Sequence, residues 1–530
     1  MKPQWSPACA EAIGVPWLRE ALAPSGALGR RARERERTFR PGDEGAARAA
    51  LTRVERVAQA HDLARLAALR ATIGAAPDVG PLLARARAGG VLGEVDFFEL
   101  GRFLDALAGI RALGPQAAGG ADELPAVTLL HDQLAPGTSK ARTFYLDDAF
   151  DPLLAAARGE AAACQAAYDA ARSRLAERVA RYAGLDAIPQ REFVVMRDRM
   201  SGPLPPEIHV LRELPAYVLC EISLDAAALS ALSARDAAAA RVAELEERVR
   251  ARLSAQVALE AEALERSCDA LGEFDLVLAR AQFAQRYGCT VPEVVESRTL
   301  AFTEARYLPL ALALEQHGRR YAPISLDLAG IGVVTGPNMG GKTAALRTLG
   351  FLAACVALGV PVPAAAARLP LFDEIVWLGI GTAAEDDGLL SSFGCEVVAV
   401  RTFLAQRRVR PLVLIDEFAR TTSPREGRAL LIALLENLDE RGALGLAATH
   451  LSHVTPAGSI AHFAIGGLLE LPSREGAPLE LEAALRRIAQ AMDYRLQRVA
   501  HDADPPSDAI ALADALGLDS DLIARAKERL

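Results

Sequence analysis

Lysine is almost missing from this chain of 530 residues: only Lys2, Lys140, Lys342 and Lys527 occur, against abundant arginine and alanine. GC-rich bacterial coding accounts for that bias without invoking function. Long apolar runs are missing too. No stretch of about 18 uncharged apolar residues occurs, which excludes a membrane-spanning helix, and Met1-Lys2-Pro3-Gln4-Trp5-Ser6-Pro7 lacks the apolar core of a secretory signal. The seven cysteines are odd in number and scattered, with no C-x-x-C and no nearby histidine pair, so reduced cytoplasmic thiols are the simplest reading. Net positive charge is absent: the formal balance is −9, opposite in sign to the basic face that grips duplex nucleic acid. The densest basic stretch, Arg30 to Arg40, is broken by Glu34 and Glu36 and reads as a solvated linker. What is present, 51% apolar residues over this length, suffices for several domains.

The most informative segment is Ile331-Gly332-Val333-Val334-Thr335-Gly336-Pro337-Asn338-Met339-Gly340-Gly341-Lys342-Thr343. An apolar strand ends in a glycine-bearing loop, and Ala344-Ala345-Leu346 opens a helix, which is the context a G-x-x-x-x-G-K-[ST] match requires. Backbone N–H groups of Gly336 through Gly341 and the helix N-terminus would cradle phosphate, Lys342 would neutralise it, and Thr343 would hold Mg²⁺. This predicts an ATP or GTP site. Residues 411–417, Pro-Leu-Val-Leu-Ile-Asp-Glu, predict a second buried strand that delivers two acids at its carboxyl end. Asp416 suits Mg²⁺, and Glu417 is then placed to orient or deprotonate the attacking water.

Upstream, the chain reads as predominantly helical. Val242, Leu245, Val249, Leu253 and Val257 recur every three to four residues, with Glu246 and Arg250 as an i,i+4 pair. Leu229 to Leu264 holds neither glycine nor proline and predicts a helix of about 50 Å, with Leu153 to Tyr182 as its antiparallel companion. Between them, residues 191–224 carry three β-prone runs, 193–196, 208–211 and 217–222, divided by prolines and a glycine.

Four segments resemble the MutS family, in the family's order. Thr335 to Thr343 is similar to its P-loop, where Pro337-Asn338-Met339 is more specific than the generic pattern. Ser391-Ser392-Phe393-Gly394-Cys395-Glu396 resembles the segment that faces the neighbouring subunit's nucleotide in MutS dimers, which points to Ser391 or Ser392 as a trans-subunit contact. Asp416 to Ser423 resembles the run around the catalytic acid, with Ala419 and Thr421 in place of two glycines. Ala448-Thr449-His450 resembles the family's Ala-Thr-His, which implies that His450 senses the terminal phosphate. The likeness covers roughly residues 80 to 530.

The resemblance implies an α/β P-loop NTPase domain of the ABC/MutS type, preceded by a mostly α-helical core and lever domain with a small β excursion. Expected boundaries are 1–80 for an N-terminal helical segment and linker, 81–320 for the lever domain with a reduced clamp-like tip at 191–224, 321–500 for the ATPase, and 501–530 for C-terminal helices of a dimer interface. Asp96-Phe97-Phe98-Glu99 superficially matches a mismatch-reading wedge, but the following residues continue an amphipathic helix, so Phe97, Phe98 and Phe103 are expected in a core. The expected activity is ATP hydrolysis with Mg²⁺ in a homodimer or a heterodimer with a related subunit. DNA is the cargo by family habit, without a mismatch-reading domain. The alternative is reactivation of a cobalamin-dependent aminomutase, which the short tip and acidic balance favour.

Overall fold

The computed structural model describes residues 4–112, 128–138, 143–185, 192–200, 202–337, 340–379, 391–456, 460–468, 487, 488, 490–500 and 509–529. Contacts divide the chain into two compact units, one formed by Pro77–Ala108 and Leu124–Cys268, the other by Met1–Ala76, Gly109–Glu123 and Asp269–Leu530.

In the first unit, helix Pro152–Ala183 starts where the Asp151 side chain accepts from Leu153 N with Pro152 in the first turn, and stops at Gly184 with φ +59°. The second long helix, Ala226–Tyr287, is longer than the sequence suggested. Of its 62 residues, Ala226–Cys268 belong to this unit and Asp269–Tyr287 to the other. Leu245, Val249, Leu253, Val257 and Leu264 are buried at the expected spacing. The expected Glu246–Arg250 pair does not form: Glu246 takes Arg158 at 2.8 Å, while Arg250 takes Glu94 at 2.8 Å and Glu247 at 3.0 Å. A pair one turn apart stabilises by only about 0.3–0.5 kcal/mol, so it yields readily to partners on other helices.

The β excursion forms as an antiparallel sheet of β1 (Glu192–Met196), β2 (Ile208–Glu213) and β3 (Tyr217–Ile222), with β3 in the centre. Its period-two pattern buries Phe193, Val195, Val218 and Cys220 against Leu175 and Val179. Phe97 and Phe103 are fully buried, as expected, whereas Phe98 is only half-buried.

Among the described residues the second unit carries ten strands: β4 (Glu293–Val295), β5 (Thr299–Ala305), β6 (Ile324–Ala329), β7 (Ile331–Thr335) and β8 (Ala366–Pro370), then β9 (Glu374–Gly379), β10 (Pro411–Asp416), β11 (Leu444–Thr449), β12 (Ala461–Leu468) and β13 (Met492–Arg498). A small sheet has the order β4-β8-β5-β6, and the principal one β13-β12-β7-β11-β10-β9. Strands β12 through β9 are parallel, and β13 closes the edge antiparallel. Helices cover both faces, so β7 and β11 are buried at every residue. Alternate side chains serve opposite layers: Leu412 and Leu414 join Leu346 and Leu349 of helix Lys342–Ala357, whereas Val413 and Ile415 join Leu431 and Leu435 of helix Pro424–Glu440.

The N-terminal stretch is part of this unit and not a separate segment. Ile13, Leu18 and Leu51 lie in one cluster with Leu346 and Leu352, and Ile375 N donates to Gln4 O at 2.8 Å. A side chain at Gly350 would meet Ile13 Cγ2 at 2.5 Å, so only glycine permits this approach. The compact units part near residues 76 and 269, with Gly109–Glu123 belonging to the second. The solvated linker expected at Arg30–Arg40 is corrected as well. Helix Ala27–Arg35 packs through Gly29 and through Gly272 of the long helix, where a Cβ at Gly272 would sit 2.5 Å from Leu28 O. Asp269 receives Arg31 and Arg35, and Glu36 pairs with Arg280, so the interrupting glutamate is a structural counter-charge. The likeness to a clamp or lever remains one of place in the chain.

Candidate functional site

The carboxyl ends of β7, β11 and β10 lie at one level: Thr335 is in register with Thr449, and Asp416 with Ala448. This is where open parallel sheets collect ligands. Beyond β7, Gly336 has φ +150°, and a Cβ there would approach Ile465 Cβ to 3.2 Å. Gly341 has φ +98° and precedes helix Lys342–Ala357 with no side-chain cap, so the first-turn N–H groups are left for a ligand or solvent. Gly340 and Pro337 close the loop through a 3.1 Å backbone bond. Asn338 and Met339 lie outside the described residues.

Lys342 is buried and its Nζ donates to Gly336 O at 2.8 Å and Pro337 O at 2.9 Å. Burial holds its ammonium below the ordinary lysine value, against the opposing pull of Glu417 and Asp416. The Thr343 hydroxyl lies 3.1 Å from both carboxylate oxygens of Asp416. Burial raises the Asp416 carboxyl, the bond from Thr343 opposing. A hydroxyl and a carboxylate converging at one point form a hard-oxygen donor set that fits Mg²⁺.

Glu417 has φ +53°, an uncommon conformation for a residue with a side chain, and its N–H donates to Ala448 O at 3.0 Å. Its carboxylate lies 3.1 Å from Arg420 NH1 and 3.8 Å from His450 Nδ1, so the catalytic acid and the sensor histidine named from the sequence are neighbours. Ser391 is the N-cap of helix Ser392–Leu404, its hydroxyl accepting from Gly394 N at 3.2 Å. Ser392 is exposed beside it.

Sequence reasoning passed over Glu396. This carboxyl is buried, and its Oε2 accepts from Ala419 N at 2.7 Å, while Oε1 has no partner. It secures a second left-handed residue, Ala419 with φ +61°, where the family has glycine; Thr421, the other replacement, does not have positive φ. Burial raises the Glu396 carboxyl above its ordinary value, the Ala419 N–H opposing. Because the folded value is raised, ionisation weakens the fold as pH climbs through it. Glu396→Gln, which keeps an acceptor and removes the charge, should therefore hold or raise stability at neutral pH. Glu396→Ala should lose about 1–3 kcal/mol by stranding the Ala419 N–H, and urea unfolding of the two variants measures the difference.

A cleft of about 510 Å³ adjoins the loop, lined by Leu310, Leu314, Tyr321, Gly341, Ala344 and Tyr494. Tyr321 is fixed by its hydroxyl, 3.0 Å from Thr348 Oγ1, and Tyr494 would lie 3.4 Å from a Cβ at Gly341. Sequence reading missed these aromatics, because nothing in local spacing links 321 and 494 to a loop at 336–343. The available signal was an aromatic shortly upstream of the loop strand.

Residues 332–528 match the family model for MutS domain V. The chain is 35% identical over 305 residues to Endonuclease MutS2 of Thermomicrobium roseum, covering 56% of this chain and 36% of that protein. It is 33% identical over 272 residues to Endonuclease MutS2 of Carboxydothermus hydrogenoformans, covering 50% and 32%, and 34% identical over 219 residues to the DNA mismatch repair protein MutS of Shouchella clausii, covering 41% and 25%. The chain spans about a third of the length of the MutS2 relatives it matches. No described helix is long and apolar enough to cross a membrane. The domain V match falls on the unit in which the loop, Asp416, Glu417 and His450 converge, and over that stretch the chain is similar to MutS proteins.

Proposed function

We propose that this chain hydrolyses ATP with Mg²⁺ and that its nucleotide state controls a dimer acting on DNA. The observation that carries the reading is the convergence of Lys342, Thr343, Asp416 and Glu417 at the carboxyl edge of one parallel sheet. Phosphoryl transfer asks a protein for positioning and charge stabilisation more than for covalent chemistry, and these four groups supply both. The loop N–H groups and Lys342 bind the phosphates, with Lys342 exchanging its two carbonyl acceptors for phosphate oxygens. Thr343 and Asp416 would hold Mg²⁺, whose chemistry is to neutralise charge on the phosphates. Glu417 orients the attacking water and accepts its proton, held between Arg420 and His450. The adenine ring takes the cleft lined by Tyr321 and Tyr494, with Arg319, Arg320 and Gln490 as its polar edge. Ser391 is committed to its helix cap, so Ser392 is the hydroxyl offered to a partner's nucleotide.

DNA as cargo is supported by the likeness to Endonuclease MutS2 and to a DNA mismatch repair protein and opposed by the net charge of −9. The deciding experiment measures phosphate release by the full chain, with and without Mg²⁺ and with duplex or branched DNA. Mg²⁺-dependent release that DNA changes, and that loses the DNA response as salt rises, supports the reading. Release indifferent to DNA at low salt removes DNA from it.

A further inference from the structure

The arginine-rich stretch from residue 30 plays no part in the nucleotide site, yet only some of its side chains, Arg35 and Arg37 among them, are exposed, while Arg31 and Arg33 are half-buried. A cleft of about 300 Å³ opens where helix Ala27–Arg35 and the residues up to Phe39 meet helix Glu44–Ala60 and the 269–280 stretch of the long helix. A smaller cleft shares Glu36, Leu276, Arg280 and Leu358 with it. The two are lined by six guanidinium groups, of Arg19, Arg33, Arg35, Arg37, Arg53 and Arg280, and by only three carboxylates. Two of those carboxylates are closely engaged. Glu36 pairs with Arg280, Asp269 takes both Arg31 and Arg35, and Glu273 reaches Arg53 only at 4.0 Å. Arg37 meets no acid among the described residues, and Arg53 Nε is buried with no partner.

Such crowding has a cost. Burial pulls the Arg280 guanidinium below its ordinary value, and although Glu36 opposes this, Arg33 and Arg53 add to it. A concave surplus of cations is stabilised by an incoming anion, although the overall charge of the chain is negative. Guanidinium forks complement phosphate oxygens two at a time, and Phe39 and Val277 supply an apolar wall beside them. The volume is at the lower limit of ordinary ligand pockets and suits a diphosphate or a mononucleotide.

We propose that this cleft is an anion site for a small phosphorylated ligand, distinct from the P-loop. Leu358 in its wall directly follows helix Lys342–Ala357, whose other end forms the loop, so about 24 Å of one rigid helix separates the two sites. The inference does not depend on hydrolysis at the loop.

Calorimetric titration of the full chain with inorganic pyrophosphate tests it. Two binding events are expected, both weakened by salt. Lys342→Ala should remove one. Arg37→Gln with Arg53→Gln should weaken the other at least tenfold and leave the first intact. Arg37→Gln alone, at an exposed side chain that the fold does not need, should weaken it several-fold and decides the matter if the double variant misfolds. AMP as a second probe separates the sources: binding tighter than pyrophosphate assigns a nucleotide, and binding no tighter assigns the phosphate group alone. The proposal is overturned if Lys342→Ala abolishes all pyrophosphate binding, or if folded Arg37→Gln binds pyrophosphate as the parent does. Two events unaffected by Lys342→Ala would instead sink the P-loop reading.

Discussion

Glu417→Gln should leave ATP bound and almost unhydrolysed. The substitution keeps the shape that fills the space between Arg420 and His450 and removes the negative charge that accepts a proton from water. General-base contributions are typically about 10²–10⁴-fold, so turnover should fall by at least about 100-fold. Binding should change little, because the phosphate-binding groups are elsewhere, on the loop. Stability should hardly move, since the lost pair with Arg420 is half-exposed and worth at most about 1 kcal/mol. Single-turnover phosphate release beside equilibrium ATP binding measures both quantities. A variant turning over within about twofold of the parent would remove Glu417 from the chemistry, whatever the fate of the loop.

Lys342→Ala should fail at an earlier stage. Its ammonium is the cation buried at the loop, and a charge-assisted hydrogen bond contributes about 1.5–3 kcal/mol, so ATP affinity should fall about 10- to 100-fold. The loss is moderated because the parent must first give up Gly336 O and Pro337 O, at 2.8 and 2.9 Å. Paired with Glu417→Gln, the variant separates a binding defect from a chemical one: the first shows in affinity, the second in turnover at saturation.

What the sequence disclosed follows the range of the forces involved. The loop and the acid-ended strand were legible because each is a local pattern, in which a few consecutive residues dictate strand, turn and helix. Their meeting followed from the rule that parallel strands gather ligand groups at their carboxyl ends. Long-range partnerships left no such trace. Glu246 and Arg250 are correctly spaced for one another, yet Arg158 and Glu94 claim them across helices. Gly272 resembles a helix interruption, since glycine costs about 1 kcal/mol there, but it marks the place where Leu28 O comes too close for a side chain. Glu34 and Glu36 appeared to dilute a basic run; one of them neutralises Arg280, more than two hundred residues away in sequence. Tyr321 and Tyr494 escaped notice for the same reason.

The scarcity of primary amines makes Lys342 a reporter. An amine-selective acylating reagent has four side-chain targets in the whole chain, and the one in the loop is only 5% exposed with both its acceptors inside the protein. Its acylation rate, read as a single mass increment in one peptide, therefore tracks how often the loop releases that amine, and Lys527, with 60% of its side chain exposed, is the internal standard for reagent strength.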